Sequence, residues 1–277
     1  MKQTEVKKVV RDSYARVAKQ GNSCSMSQNS CCGSSAAQTI SKEIGYSEDE
    51  MKSAPEGANL GLGCGNPLAL ASLKEGDIVL DLGSGGGFDC FLAASRVGKT
   101  GKVIGVDMTP EMVQLARQNA ERGHYQNVEF RLGEIEDLPV ADNSIDVIIS
   151  NCVINLSPDK SKVFKEAFRL LKPGGRLMVS DIVLLRPIPD QIRDSVMAYV
   201  GCIGGAMMKT AYLDTITAAG FTDVKVAGET AIRLDTMIND PTVSALIQSI
   251  GIPMDAVQNL LDAASSVQVS GIKPAEL

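Results

Sequence analysis

Seven cysteines and a single histidine, His124, mark where reactive chemistry could reside in this 277-residue sequence. The cysteines stand at positions 24, 31, 32, 64, 90, 152 and 202, without a C-x-x-C pair or a His/Cys cluster, a spacing that argues against a zinc finger. Their number is odd and the expected compartment is reducing, so a disulfide framework does not explain them. A cysteine is by default a small buried hydrophobe, which suits Cys90 beside Phe91-Leu92-Ala93. Cys32, Cys64, Cys152 and Cys202 stand instead in glycine- or serine-rich or loop-like surroundings, where burial explains less. His124 reads as a surface residue at a helix end, with no catalytic part.

The second chemical feature is the turn Asp81-Leu82-Gly83-Ser84-Gly85-Gly86-Gly87. A strand ending in an acid, then glycines at alternate positions, then a helix, suits a nucleotide-like ligand, because backbone without side chains can approach it closely. Helix N-terminal NH groups can receive a carboxylate or phosphate, and Asp107, ending the next strand, can accept both hydroxyls of a ribose.

Positioning these residues requires a sheet. From Gly76 to Ala227 short β-rich runs alternate with helical stretches, the pattern of a parallel sheet covered by helices. The expected strands are 78–82, 102–107, 128–132, 145–150, 176–184 and 222–227, with a closing strand at 267–272. Ile78-Val79-Leu80 and Val147-Ile148-Ile149 are continuously apolar, as strands buried on both faces should be. Thr109-Pro110-Glu111 opens one helix, ended by Gly123, and Ser157-Pro158-Asp159 opens another that runs to Leu171 before Lys172-Pro173-Gly174-Gly175 turns the chain. Residues 2–19 read as an amphipathic helix striped by Val6, Val9, Val10, Tyr14 and Val17, residues 20–39 as a mobile cysteine-bearing loop able to close over a ligand, and residues 55–67 as a glycine-rich loop. Residues 241–266 suggest two short helices. Cys152 follows the fourth strand, and ligands of open α/β sheets bind beyond the carboxyl ends of the strands.

A dinucleotide fingerprint would need glycine at position 88, where Phe88 stands. The pattern Asp-x-Gly-x-Gly-x-Gly instead resembles motif I of the class I S-adenosylmethionine-dependent methyltransferases. That resemblance implies a Rossmann-like α/β sheet, mostly parallel with an antiparallel last strand, carrying S-adenosyl-L-methionine at Asp81, Gly83, Gly85 and Gly87. It further implies ribose contacts from Asp107 and Met108, adenine contacts from Ile135 and Glu136, and a cofactor contact from Asn151. Cys32, Cys64 in Gly61-Leu62-Gly63-Cys64-Gly65-Asn66-Pro67, Cys152 in Asn151-Cys152-Val153-Ile154-Asn155-Leu156, and Cys202 together closely resemble the arsenite methyltransferases. In that family the residues matching Cys152 and Cys202 hold trivalent arsenic, and those matching Cys32 and Cys64 help capture it and can form a disulfide during turnover. The choice between Cys31 and Cys32 stays open, and Cys24 has no counterpart. Tyr14 either completes the apolar stripe of the first helix or, as the resemblance suggests, caps the cofactor. The implied partners are trivalent arsenic and a thiol reductant, thioredoxin or glutathione.

The expected organisation is an N-terminal helix with cysteine-bearing loops (1–75), an S-adenosylmethionine-binding core with arsenic-binding loops (76–227), and C-terminal helices with the closing strand (228–277). A net charge of −6 argues against nucleic acid as partner, since that affinity needs clustered cations. No apolar run suits a signal peptide or a membrane span, so a cytoplasmic location is expected; a monomer is the separate expectation for its assembly, which no surface patch legible in the sequence decides. The rival readings are a methyltransferase of carbon, oxygen or nitrogen in small molecules and a non-catalytic thiol-based arsenic binder.

Overall fold

A computed structural model of the chain describes residues 3–21, 32–69, 71–193, 196–232, 258–259 and 261–275. Helices α1 (Gln3–Gly21), α2 (Cys32–Glu43) and α3 (Glu48–Ser53) precede the sheet. Then follow β1 (Ile78–Leu82), α4 (Phe88–Val97), β2 (Lys102–Asp107), α5 (Pro110–Arg122), β3 (Val128–Leu132), β4 (Ile145–Asn151), α6 (Lys160–Leu170) and β5 (Leu171–Leu184). The short helices α7 (Asp190–Arg193) and α8 (Val196–Val200), then α9 (Lys209–Ala218), lead to β6 (Thr222–Ala231) and β7 (Ala264–Ile272). Among the described residues no helix is long and apolar enough to cross a membrane.

The strands lie in the order β3-β2-β1-β4-β5-β7-β6. β1 to β5 pair in parallel, and β7 runs antiparallel between β5 and β6, as the expected mostly parallel sheet with an antiparallel last strand requires. After β1 the chain builds outward through β2 and β3, then crosses to β4 on the other side. That reversal opens a crevice at the carboxyl ends of β1 and β4, the place where such sheets take ligands.

Strand periodicity divides the core between the two faces of the sheet. Leu80, Leu82, Ile104, Val106 and Ile148 pack with Phe164 and Tyr212 on one side. Val79, Val103, Val147 and Ile149 pack with Phe91 and Val97 on the other. Without tryptophan, edge-to-face pairs such as Phe164 with Tyr212, 5.5 Å between centroids, supply the large packing units.

Three expectations need correction. Residues 32–39 belong to α2, not to a loop; their polar, small-residue composition hid an Ala-containing helix whose Ala37 closes against Gly61, where an added Cβ would lie 3.0 Å away. Residues 22–31, with Cys24 and Cys31, are outside the described residues, as are 233–257, where most of the expected C-terminal helices fall. Residues 172–175 stand inside β5 as an irregularity, because the register jumps from Ile145↔Leu171 to Val147↔Arg176. β6 and β7 are longer than expected because each lends the other hydrogen-bond partners, out to Ala231↔Ser265.

Candidate active site

The crevice beyond β1 and β4 is lined by Asp81, Gly83, Ser84 and Gly85 of the glycine turn, Asp107 and Met108 after β2, Ile135 and Glu136 after β3, and Asn151 and Cys152 after β4. Gly83, Gly85 and Gly87 have φ of 71°, 50° and 92°, the left-handed region that favours glycine. A Cβ on Gly85 would meet nothing within 4 Å, so the backbone there faces open cleft. Gly87 is the N-cap of α4 and stands behind the turn, where a Cβ would lie 2.7 Å from Phe130. Asp107 holds the turn in shape: its Oδ2 accepts from Gly85 N at 2.9 Å and its Oδ1 from Thr109 N at 2.8 Å. The Thr109 side chain bonds to the same carboxylate, and of about four acceptor positions on an ionised carboxylate, capacity beyond these three bonds remains for a ligand.

A chain of buried polar groups sits under the turn. The Tyr46 hydroxyl donates to Asp89 Oδ1 at 2.5 Å, and Asn151 Nδ2 donates to the Tyr46 hydroxyl at 2.9 Å and to Asp89 Oδ2 at 3.2 Å. The Cys90 thiol, buried as expected, donates to Asp81 Oδ2 at 3.2 Å. Burial, and then the Asp89 charge, push the Asp81 carboxyl well above its ordinary pKa; burial likewise pushes Asp89 up to about 6 against the hydrogen bonds from Tyr46 and Asn151. Two buried carboxylates that disfavour each other's charge make a cleft suited to a cationic ligand.

At the far side, α1 straps the cleft. Lys7 Nζ reaches Glu134 Oε2 at 2.7 Å and Glu136 Oε1 at 3.1 Å, and Ser157 donates to the same Glu136 oxygen at 2.6 Å. Burial alone would lower the pKa of Lys7, but the bonds to Glu134 and Glu136 outweigh it and the net direction is upward. Tyr14, on the same helix, donates to Val200 O at 3.4 Å.

A second cleft adjoins the first, lined by Cys64, Cys152 and Cys202 with Gly65, Gly201, Ser266 and Gln268. Tyr14, Ile44, Gly61, Leu62, Gly63 and Cys152 line both. The sulfurs of Cys64 and Cys152 and a carboxylate oxygen of Asp181 lie within 4.8 Å of one another, and the Cys202 thiol donates to Cys152 O at 3.0 Å. Hydrogen bonding with the Cys202 and Cys64 thiols, then burial, push the Cys152 thiol well above its ordinary pKa, and burial pushes Cys64 up. Cys152 and Cys202 both occupy left-handed backbone, φ 58° and 64°, unusual for a residue with a side chain and held here by Cys152 N donating to Ser180 O at 2.8 Å and Cys202 N to Tyr199 O at 3.0 Å.

Long-range contacts bring Cys64 to this place. Asn151 Oδ1 accepts from Cys64 N at 3.0 Å while Asn151 Nδ2 donates to Gly65 O at 2.8 Å, and Ser266 of β7 donates to Cys64 O at 2.6 Å. Asn151 thus lines the first cleft and braces the loop carrying a thiol of the second. Cys32 is the first residue of α2, but its side chain is outside the described residues. His124 is exposed, as expected. Lys7, Tyr46, Asp89, Ser157 and Asp181 escaped the sequence analysis. Asp181 had a readable signal, an acid within a run of apolar strand residues; the other four are ordinary helix or loop residues whose partners are distant in sequence.

The methyltransferase-domain family matches residues 73–220. The arsenite methyltransferase of Halobacterium salinarum is 46% identical over 230 residues, 80% of this chain and 59% of that protein. The arsenite methyltransferase of Aquipseudomonas alcaligenes is 40% identical over 249 residues, 87% of this chain and 67% of that protein. Among solved structures, an arsenic(III) S-adenosylmethionine methyltransferase from Chlamydomonas reinhardtii superposes with a TM-score of 0.60 at 31% identity, over 86% of this chain and 73% of that one. The chain thus spans about three fifths to two thirds of the length of these two curated relatives.

Proposed function

The chain belongs to the arsenite methyltransferase family, and on that premise we propose that it transfers methyl groups from S-adenosyl-L-methionine to thiol-bound trivalent arsenic, giving methylated arsenicals. The observation that carries this reading is the wall shared by the two clefts: Cys152 lines both, so a donor in the first and an arsenic ligand in the second meet at one residue. Asp81, Asp89 and the open backbone of Gly85 suit the cationic amino-acid end of the donor, Asp107 its ribose, and Ile135 with Glu136 its adenine.

Cys152 and Cys202, with Cys64 or Cys32 as third thiol, hold the arsenic. Trivalent arsenic is soft and prefers sulfur. Arsenous acid arrives neutral, as the Cys64 thiol is kept by burial and the Cys152 thiol by its thiol neighbours and burial, and each S–H proton that leaves with a displaced hydroxyl departs as water, so three As–S bonds form for three waters released. S-adenosyl-L-methionine supplies a methyl group on a positively charged sulfonium, an electrophile for the lone pair that three sulfur ligands leave free on arsenic. The protein's part is alignment and exclusion of water rather than acid–base work, which fits a site without histidine. Methyl transfer leaves the donor as its neutral thioether and raises the formal oxidation state of arsenic by two; a further cysteine attacking an arsenic-bound sulfur forms a protein disulfide, breaks that As–S bond, gives up its thiol proton to water and returns the electron pair to arsenic. Thioredoxin or glutathione then reduces that disulfide.

The decisive assay combines arsenite, methyl-labelled S-adenosyl-L-methionine, a thiol reductant and the full chain, with products separated by chromatography. Label is expected in methylated arsenicals only when arsenite is present. Label transfer to another acceptor would favour a different methyltransferase, and stoichiometric arsenite binding without methylated product would favour a binding protein. A pH titration tests the donor end. Protons and the cationic donor compete for Asp81 and Asp89, so donor affinity is expected to fall as pH drops through about 6, where Asp89 takes its proton, by at most about tenfold per pH unit for each proton. Equilibrium dialysis between pH 5 and 8 checks it; a flat profile would remove these carboxylates from the donor site.

A further inference from the structure

Behind two thiols of the second cleft lies a buried carboxylate that arsenic chemistry does not require. Asp181 lies in β5 next to Ser180 and is 1% exposed. Its Oδ1 accepts from Asn155 Nδ2 at 2.8 Å and Ile182 N at 3.0 Å, and its Oδ2 accepts from the Tyr212 hydroxyl at 3.2 Å; the Asn155 backbone and the charge of Lys160 also favour the ionised form. A carboxylate oxygen stands within 4.8 Å of both the Cys64 and the Cys152 sulfur. Hydrogen-bonded carboxylates of this kind are oriented as ligands are.

We propose that Cys64, Cys152 and Asp181 form a binding site for a zinc-like divalent cation, with Cys202 or a water completing a tetrahedron. The proposal rests on the reading of these thiols as the arsenic cluster and differs in what it asks of them. Trivalent arsenic keeps a lone pair and is served by three sulfurs, whereas zinc takes four ligands and accepts mixed sulfur and oxygen donors. Zn–S bonds of about 2.3 Å and Zn–O bonds of about 2.0 Å set ligand separations of about 3.5–3.8 Å, a contraction of about 1.3 Å at most from the 4.8 Å within which the three atoms lie. Rotation of the cysteine side chains can supply that movement, the Cys64 backbone being held by Asn151 and Ser266. Binding one ion releases one proton from each coordinating thiol, and one from Asp181 where burial, which pushes its carboxyl up to about 7, leaves it protonated; it changes no oxidation state. Because Cys64 and Cys152 serve both ions, zinc and arsenite exclude each other, and zinc inhibits methyl transfer in competition with arsenite.

The test uses the full chain, fully reduced and free of arsenite, dialysed against zinc chloride. One zinc per chain is expected, displaced one for one by arsenite, and cobalt(II) in its place should give the intense visible bands of a tetrahedral site together with thiolate-to-metal charge transfer. Asp181→Asn is expected to weaken zinc binding by at least about tenfold, with far-ultraviolet circular dichroism and thermal unfolding reporting whether the variant is folded. Absence of stoichiometric zinc in the wild-type chain, an octahedral cobalt spectrum, simultaneous binding of zinc and arsenite, or unchanged zinc affinity in folded Asp181→Asn would each overturn the proposal. If the variant does not fold, the wild-type cobalt spectrum and displacement stoichiometry still decide it. Arsenite methylation without zinc binding overturns this site alone, and zinc binding without arsenite methylation overturns the proposed activity alone.

Discussion

Cys152→Ser is expected to lose arsenite methylation by at least about 1000-fold, equivalent to roughly 4 kcal/mol of barrier, while S-adenosyl-L-methionine affinity stays within about threefold. The substitution changes one atom. Serine retains the Cβ, so the left-handed backbone at φ 58° is no more strained, and the bond from the residue 152 backbone N to Ser180 O at 2.8 Å is unaffected. What changes is the donor, from a soft sulfur to a hard oxygen, at the one thiol that lines both clefts. The expected signature is therefore a fall in kcat/KM with arsenite, measured with labelled donor, beside an unaltered donor Kd by calorimetry. Methylation at the wild-type rate would sink the assignment of Cys152. A donor Kd weakened in parallel would mean that the residue acts on the first cleft.

The second large effect is expected at Gly83. At φ +71° an alanine Cβ would sit 2.3 Å from Val153 Cγ2 and 2.6 Å from Val153 Cβ. Left-handed backbone costs alanine roughly 1–2 kcal/mol, and crowding a packed site costs about 1–3 kcal/mol more. Because Val153 adjoins Cys152, relaxation of the clash disturbs the thiol as well as the turn. Gly83→Ala should weaken donor binding about 100-fold or more, worth roughly 3 kcal/mol, and lower Tm by about 5–10 °C. Adding Val153→Ala removes the contacts with the two Cγ atoms but leaves the 2.6 Å approach to Cβ and the backbone cost, so the double variant should recover only part of the stability. Gly85→Ala provides the contrast: its Cβ meets no protein atom within 4 Å, so donor binding should suffer more than Tm. Dialysis with labelled donor and thermal unfolding read both quantities, and a Gly83→Ala variant with wild-type donor affinity would show that the turn does not cradle the donor.

The thiols and the donor end share one electrostatic theme. Among the described residues, neither cleft is lined by a fixed cation apart from Lys7, which Glu134 and Glu136 neutralise. The first cleft is poised for a positive ligand and the second for a neutral one that sheds water. Asn151 ties them mechanically: through Tyr46 and Asp89 it touches the donor side, and through Cys64 N and Gly65 O it holds the thiol loop. An altered position of the Tyr46–Asp89 pair is therefore transmitted to Cys64 by direct hydrogen bonds.

What the amino-acid sequence determined by itself is the local grammar of this protein. Continuous apolar runs marked β1 and β4 as strands covered on both faces, alternate glycines after Asp81 marked the turn, and Asp107 could be placed at the neighbouring strand end, because strand period, turn geometry and helix capping are properties of a few adjacent residues. The same locality explains the failures. α2 was missed because its small polar residues carry little periodic signal, and the lengths of β5, β6 and β7 were missed because strand ends depend on the partner strand. Only the tertiary structure decided that Cys64 lies against Cys152, that Ser266 of the inserted β7 holds the Cys64 carbonyl, that Lys7 of α1 straps Glu136, and that Asp181 points among the thiols. These contacts join residues as far apart as 202 positions. They follow from the order in which strands cross the sheet, and that order is set by how distant apolar faces bury one another, which no short-range pattern encodes.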